Sequence, residues 1–166
     1  MLLGLSKIID CPGASVPFFV DVDLSDLRYG NCYPVSEPVK AEGKVRNTAG
    51  VLVMTGNIST TIHGVCDRCA AEFDQAVSIP IDVVLVTELN NEENEDEGVF
   101  PLEGDSADLE DIVRTVFVLN MDSKLLCDPD CKGLCCGCGK NLNHEACTCQ
   151  KEIDPRLAAL KQLLDK

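Results

Sequence analysis

Tryptophan is absent, histidine occurs twice, and aromatic residues make up only 4% of the 166-residue chain. With His63 and His144 as the only imidazoles, there is little material for acid–base catalysis or for nitrogen ligation of a metal. Without tryptophan, few rings are available as stacking platforms for unpaired bases. Basic residues are scarce too. The 14 Lys and Arg stand against 28 Asp and Glu, a net charge of -14, which excludes a general phosphate-binding protein. No apolar run approaches the ~18 residues of a membrane helix. The chain start lacks the basic n-region and long apolar stretch of a signal peptide, so a cytoplasmic protein with no membrane partner is expected. No glycine-rich phosphate loop or nucleophile elbow occurs, and the carboxylates cluster without an acid/base pairing. A protein that is not an enzyme, with no small-molecule substrate, is expected.

Cysteine, by contrast, is abundant, with 11 in the chain. An odd count without an export signal argues against a disulfide framework and for metal or redox chemistry in a reducing compartment. Hydrophobic residues at 45% and charged residues at 25% describe a globular chain of one domain with at most an appendage.

The acidity is uneven. Residues 88–121 hold 11 acids and a single base, Arg114, whereas residues 122–166 hold seven of each sign. The run from Glu88 to Glu97 reads as part of a solvated linker over 88–104, and alternatively as a docking strip for a basic partner. Strands are expected at Val16–Val22, at Val39–Arg46 and Val51–His63 around an Asn47–Gly50 hairpin loop, and from about Phe73 to Thr87. Pro80 marks an edge or a bulge in the last of these. From Val51 to Thr55 both faces are largely apolar, so the buried face stays open. Leu109, Ile112, Val113, Val116 and Phe117 predict a helix over 106–119, with Asp105 or Ser106 as its cap. Asp154 and Pro155 open a second helical pattern, with Leu157, Leu160, Leu163 and Leu164 on one face. The expected class is α+β. An antiparallel β-rich domain over 1–122 would carry one or two helices in all, with a cysteine-rich, zinc-binding C-terminal extension over 123–166.

Cys66-Asp-Arg-Cys69 forms a C-x-x-C turn after a strand, and such a turn brings two thiolates to one tetrahedral metal. Seven more cysteines crowd into residues 127–149. Cys135-Cys-Gly-Cys138-Gly139 has knuckle spacing followed by the glycine that a tight turn favours. Cys147-Thr-Cys149 supplies two more ligands to it. Cys127 and Cys131 are then left to complete a second set with Cys66 and Cys69. The alternative joins Cys127, Cys131, Cys135 and Cys138 and leaves the C-x-C pair free, and His144 is a possible substitute ligand. All-thiolate sets favour zinc, one or two structural ions, over an iron–sulfur cluster. Cys11, Cys32 and Cys136 receive no role.

Taken in order, Cys66-Asp-Arg-Cys69 with Phe73, Cys131-Lys-Gly-Leu-Cys135, Cys138-Gly-Lys-Asn-Leu-Asn143, Cys147-Thr-Cys149 and Ile153-Asp-Pro-Arg-Leu-Ala158 resemble the YceD family of large ribosomal RNA subunit accumulation proteins. Cys136 departs from that pattern, standing where similar members often carry proline. The resemblance implies a role in accumulation or processing of large-subunit (23S) ribosomal RNA, in ribosome biogenesis, and a link to a large-subunit ribosomal protein. Two partners follow. Precursor RNA would meet basic side chains near the metal turns, namely Arg68, Lys132, Lys140, Lys151 and Arg156. A basic ribosomal protein would meet the acidic segment. The alternative outside this family is an acidic zinc-binding chaperone, or a redox- or metal-responsive interaction protein that does not act on RNA.

Overall fold

The computed structural model describes residues 1–30, 32–87 and 98–149. The acidic run at 88–97 and the second helical pattern at 154–166 lie outside the described residues, as do Lys151 and Arg156. In chain order the elements are β1 (Leu2–Gly4), α1 (Ser6–Ile9), β2 (Ser15–Val22), β3 (Val39–Thr48), β4 (Val51–Val65), β5 (Glu72–Val86), β6 (Val99–Pro101), β7 (Ser106–Asp108) and α2 (Leu109–Leu119). No helix among the described residues is long and apolar enough to cross a membrane.

Strands β2 to β6 form one sheet in sequence order. Its pairings are antiparallel except for β5 with β6, which run parallel. β1 and β7 form a separate antiparallel pair. The architecture is therefore the β-rich α+β class that strand patterning predicts. Period-two alternation places Val20, Val22, Val39, Ala41, Val45, Ile79, Ile81 and Val83 in the core. Val51–Thr55 resolves here: Leu52 and Met54 are buried and Val51 is exposed. Five residues of α2 (Leu109, Ile112, Val113, Val116 and Phe117) pack into the same core. Each such side chain, fully buried, contributes about 1.5–3 kcal/mol.

The predicted helix start is corrected. Ser106–Asp108 is drawn into a ladder with Leu2–Gly4, so the helix begins at Leu109. Asp108 is its cap, accepting a hydrogen bond from the Glu110 amide at 3.0 Å. Pro80 behaves as expected, because β6 covers only Val84–Val86 and β5 has no β6 partner at Pro80.

Gly43 and Gly56 face each other across β3 and β4. A Cβ on either would collide with the backbone oxygen of Thr55 or Glu42, and the Phe18 ring fills the space beside Gly43. At the other end of the hairpin, Ala49 and Gly50 both take positive φ, 54° and 95°. That is the backbone shape of a two-residue hairpin turn matched to strand twist. The fully buried Asn47 anchors the turn. Its Nδ2 donates to the Ile8 and Ile9 carbonyls at 2.8 and 2.7 Å, and its Oδ1 accepts from the Gly50 amide at 2.8 Å.

Two outcomes are expected in urea denaturation. Ala49→Gly should stabilise the fold by about 1 kcal/mol, because glycine carries no Cβ penalty in the left-handed region. Asn47→Ala should cost about 2 kcal/mol, since it removes three hydrogen bonds of a fully buried side chain and leaves the part-buried Ile9 carbonyl without that donor. A change below about 1 kcal/mol for Asn47→Ala would show that α1 does not depend on that side chain.

Candidate metal centres

The long β4–β5 hairpin ends in the turn that carries Cys66 and Cys69. The Cys66 amide donates to the Ala71 carbonyl at 2.8 Å, and the Ala70 amide returns to the Cys66 carbonyl at 2.9 Å. The turn at Cys135 and Cys138 repeats this pattern. The Cys135 amide donates to Lys140 at 2.8 Å and the Gly139 amide to Cys135 at 2.9 Å. The residue after the second cysteine takes positive φ in both, 56° at Ala70 and 73° at Gly139. The chain thus contains the same knuckle twice. Sequence reading marks only the second as a knuckle with its turn glycine, because alanine stands at the left-handed position of the first.

The structure brings Cys66, Cys69, Cys127 and Cys131 together, and separately Cys135, Cys138, Cys147 and Cys149. Within each set all four sulfurs lie within 4.8 Å of one another. Cys69 and Cys127 are 3.6 Å apart and Cys66 and Cys131 3.8 Å. In the second set Cys135 and Cys147 are 3.2 Å apart, and Cys138 and Cys147 3.6 Å. A tetrahedral ion with bonds of about 2.3 Å sets its sulfurs about 3.8 Å apart, and a disulfide needs about 2.05 Å. The spacing suits an ion and not a covalent bridge. The grouping of Cys127 and Cys131 with Cys135 and Cys138 does not form, and His144 belongs to neither set.

The sulfur electrostatics show the same crowding. Burial pushes the Cys66 thiol up, but amides of Cys127, Cys69 and Arg68 outweigh it and bring Cys66 down to about 6. The Cys66 sulfur in turn pushes Cys127 up to about 12. In the second set the Cys138 amide, the Cys147 thiol and the Gly137 amide lower Cys135 to about 6, while Cys147 and Cys138 push Cys149 up to about 12. Thiolates this close repel one another unless a cation lies between them. Four soft donors at tetrahedral spacing, with amides aimed at sulfur, fit a bound metal ion in each set. The bound ion would supply a closed cross-link, with no coordination position left for water.

The sets differ in their surroundings. Cys66, Cys69 and Cys131 are buried with Ala71, Phe73 and Leu126 around them. Asp67 clamps the chain leaving α2, its amide donating to the Leu125 carbonyl at 2.8 Å and its carboxylate accepting from the Leu125 amide at 2.9 Å. In the second set Cys138 and Cys149 are exposed. Asn143 joins the two. Its Nδ2 donates to the Cys131 sulfur at 3.2 Å, and its Oδ1 accepts from the Lys132 amide at 2.8 Å. Sequence reading gave Asn143 no such role. The available signal was the need of a buried thiolate for donors from the neighbouring loop.

The bases proposed near these turns are partly engaged. The Arg68 guanidinium donates to the Pro129 and Cys131 carbonyls at 3.1 and 3.0 Å, so it holds the loop of the first set. Lys140 pairs with Glu145 at 3.3 Å. Lys132 is exposed.

A long antiparallel hairpin whose tip shares one four-cysteine set with the later chain, which builds a second set by itself, defines a β-rich protein with paired candidate metal centres. The chain belongs to the YceD family, "Large ribosomal RNA subunit accumulation protein YceD", whose family model matches residues 54–164. An uncharacterized protein of Mycobacterium tuberculosis is 31% identical over 117 residues, covering 69% of this chain and 56% of that protein. The chloroplastic large ribosomal RNA subunit accumulation protein YCED homolog 1 of Arabidopsis thaliana is 26% identical over 148 residues, covering 72% of this chain and 46% of its own. The Zea mays protein of the same name is 27% identical over 154 residues, with 75% and 53% covered. The chain spans about half the length of these relatives. No solved structure matches it.

Elemental analysis of purified protein is expected to find two metal ions per chain. Cys131→Ser should remove one ion and lower the thermal midpoint, whereas Cys149→Ser should remove the other with a smaller thermal effect. Asn143→Ala should weaken metal retention at the first set by about 10- to 100-fold against a chelator. Because thiols must lose protons to ligate, metal should leave as the pH falls, the exposed second set first. A single ion per chain in the parent protein would disqualify one of the two sets.

Proposed function

We propose that this protein is a ribosome biogenesis factor that supports accumulation of large-subunit ribosomal RNA by binding precursor RNA, without catalytic turnover. The observation that carries the reading is the family match over residues 54–164. The site chemistry supports a binding role. Eight of the 11 cysteines enter two closed sulfur sets, and such sets hold structure without offering a reactive position. Zinc is the proposed ion in both, and the proposed setting is the cytoplasm. A colourless preparation with zinc by elemental analysis is expected, and a brown one would assign an iron–sulfur cluster instead.

A second reading has a basic large-subunit ribosomal protein as the client. The observation that favours it is the excess of 11 acids over one base in residues 88–121. Such a strip would shield a cationic partner until it meets RNA. Ultraviolet crosslinking followed by stringent capture of the tagged protein separates the two readings. Precursor large-subunit RNA covalently attached to the protein is expected. A ribosomal protein captured without crosslinked RNA would overturn direct RNA contact in favour of the acidic strip. Capture of neither would remove the ribosomal reading.

A further inference from the structure

We infer that the outer face of β2, β3 and β4 is a binding surface for single-stranded RNA, with Lys40, Lys44 and Arg46 as phosphate contacts and Phe19 as a base-stacking platform. The inference rests on the RNA reading above and moves the contact away from the metal turns. Alternation along β3 buries Val39, Ala41 and Val45 and turns Lys40, Glu42, Lys44 and Arg46 to solvent. Half of the six bases in residues 1–87 therefore share one face of one strand. None of the three forms an ion pair among the described residues, in contrast to Lys140.

The register supplies their neighbours. Phe19 lies opposite Glu42, between Lys40 and Lys44, and is 58% exposed. A phenyl ring held on a strand at that exposure gains nothing from the core, and it presents a flat face with cations on either side. On the β4 side, Lys44 faces Thr55 and Lys40 faces Ser59. At the Lys40 end the ladder opens between the Lys40–Ser59 pair and the isolated Val35–Ile62 bridge. A cleft of about 390 Å³ lies there, lined by Lys40 and Glu37 with the hydroxyl-bearing Ser59, Thr61 and Ser78 among others.

Cations, an exposed ring and a hydroxyl-lined cleft on one sheet face match what an unpaired strand offers: phosphates, base faces and ribose hydroxyls. A duplex keeps its bases stacked and cannot use the ring. Asp21 lies directly opposite Lys40 and Glu42 lies between Lys40 and Lys44, so the β2–β4 part of the face carries three bases against two acids; on the same side β5 adds Asp82, Asp74 and Glu72, and Glu37 lines the cleft, within a chain at -14. Phosphate is therefore repelled less over β2–β4 than over the chain as a whole, and binding is modest and selective for single strands. Three phosphate contacts predict a slope of about -2 for log affinity against log salt.

The test is fluorescence anisotropy of the full metal-loaded chain with a labelled single-stranded RNA of about 12 nucleotides. Each variant is first shown to keep the parental metal content, which exposed side chains on the sheet should not disturb. Lys40→Gln/Lys44→Gln/Arg46→Gln should lose about tenfold or more in affinity and bring the salt slope close to zero. Phe19→Ala should lose about tenfold with the slope unchanged. Lys132→Gln/Lys140→Gln should bind as the parent does. If the sheet variants bind like the parent while the metal-turn variant loses binding, the sheet surface is overturned and the RNA reading stands. Equal affinity of the parent for a duplex of the same sequence would overturn the stacking role. A parent that binds no RNA would overturn the RNA reading and this surface together.

Discussion

Four sulfurs within 4.8 Å of one another cannot all ionise without a cation among them, and the course of the chain after α2 follows from that constraint. The first set joins the tip of the β4–β5 hairpin to residues 58 to 65 positions further on. Loop closure over that length carries an entropy cost that grows only slowly with separation, so one strong cross-link is enough to hold it. Leu125, two residues before Cys127, is part of the main core, while Cys131 is buried beside the hairpin tip. The metal set and the hydrophobic core thus brace the same short segment from its two ends.

The second set is built on the first. Its loop returns Asn143 to the Cys131 sulfur, and the Leu134 amide donates to the Arg68 carbonyl at 3.0 Å. Gly133 is buried at positive φ, 75°, with a Cβ position only 3.0 Å from that carbonyl, so a side chain there would force the two knuckles apart. The order of dependence runs from sheet to first set to second set, with solvent exposure of the sulfurs rising along it. A ligand-binding surface on β2–β4 would lie where the backbone is held by continuous strand ladders rather than by metal.

Much of the fold was legible in the residues because strand alternation and helix spacing are local signals. The four main strands and α2 follow from Val and Ile patterns and from the Leu109–Phe117 stripe. The misplaced cap has a tertiary cause. Ser106 and Asp108 both suit a helix start, and only the pairing of 106–108 with β1 selects Asp108. The face of Val51–Thr55 was ambiguous because both sets of side chains are apolar, and α2 with the neighbouring strands decides which set is covered. The first knuckle was half hidden. The rule that glycine follows a knuckle fails at Ala70, where two amide hydrogen bonds and the buried sulfurs outweigh a left-handed alanine costing about 1–2 kcal/mol.

By itself the sequence determined the β-rich class, the concentration of thiols at a hairpin turn and in one later segment, and the confinement of acidity to the middle of the chain. These are properties of composition and short spacing, and they survive in any conformation. Tertiary structure alone decided which sulfurs share a site, since two pairs of thiols separated from each other by 58 to 65 residues meet only when the hairpin and the chain after α2 pack together. It also decided that Arg68 holds the loop of the first set, and that three dispersed bases share one face. Hydrogen-bond register and burial set those relations, and neither is written at any single position.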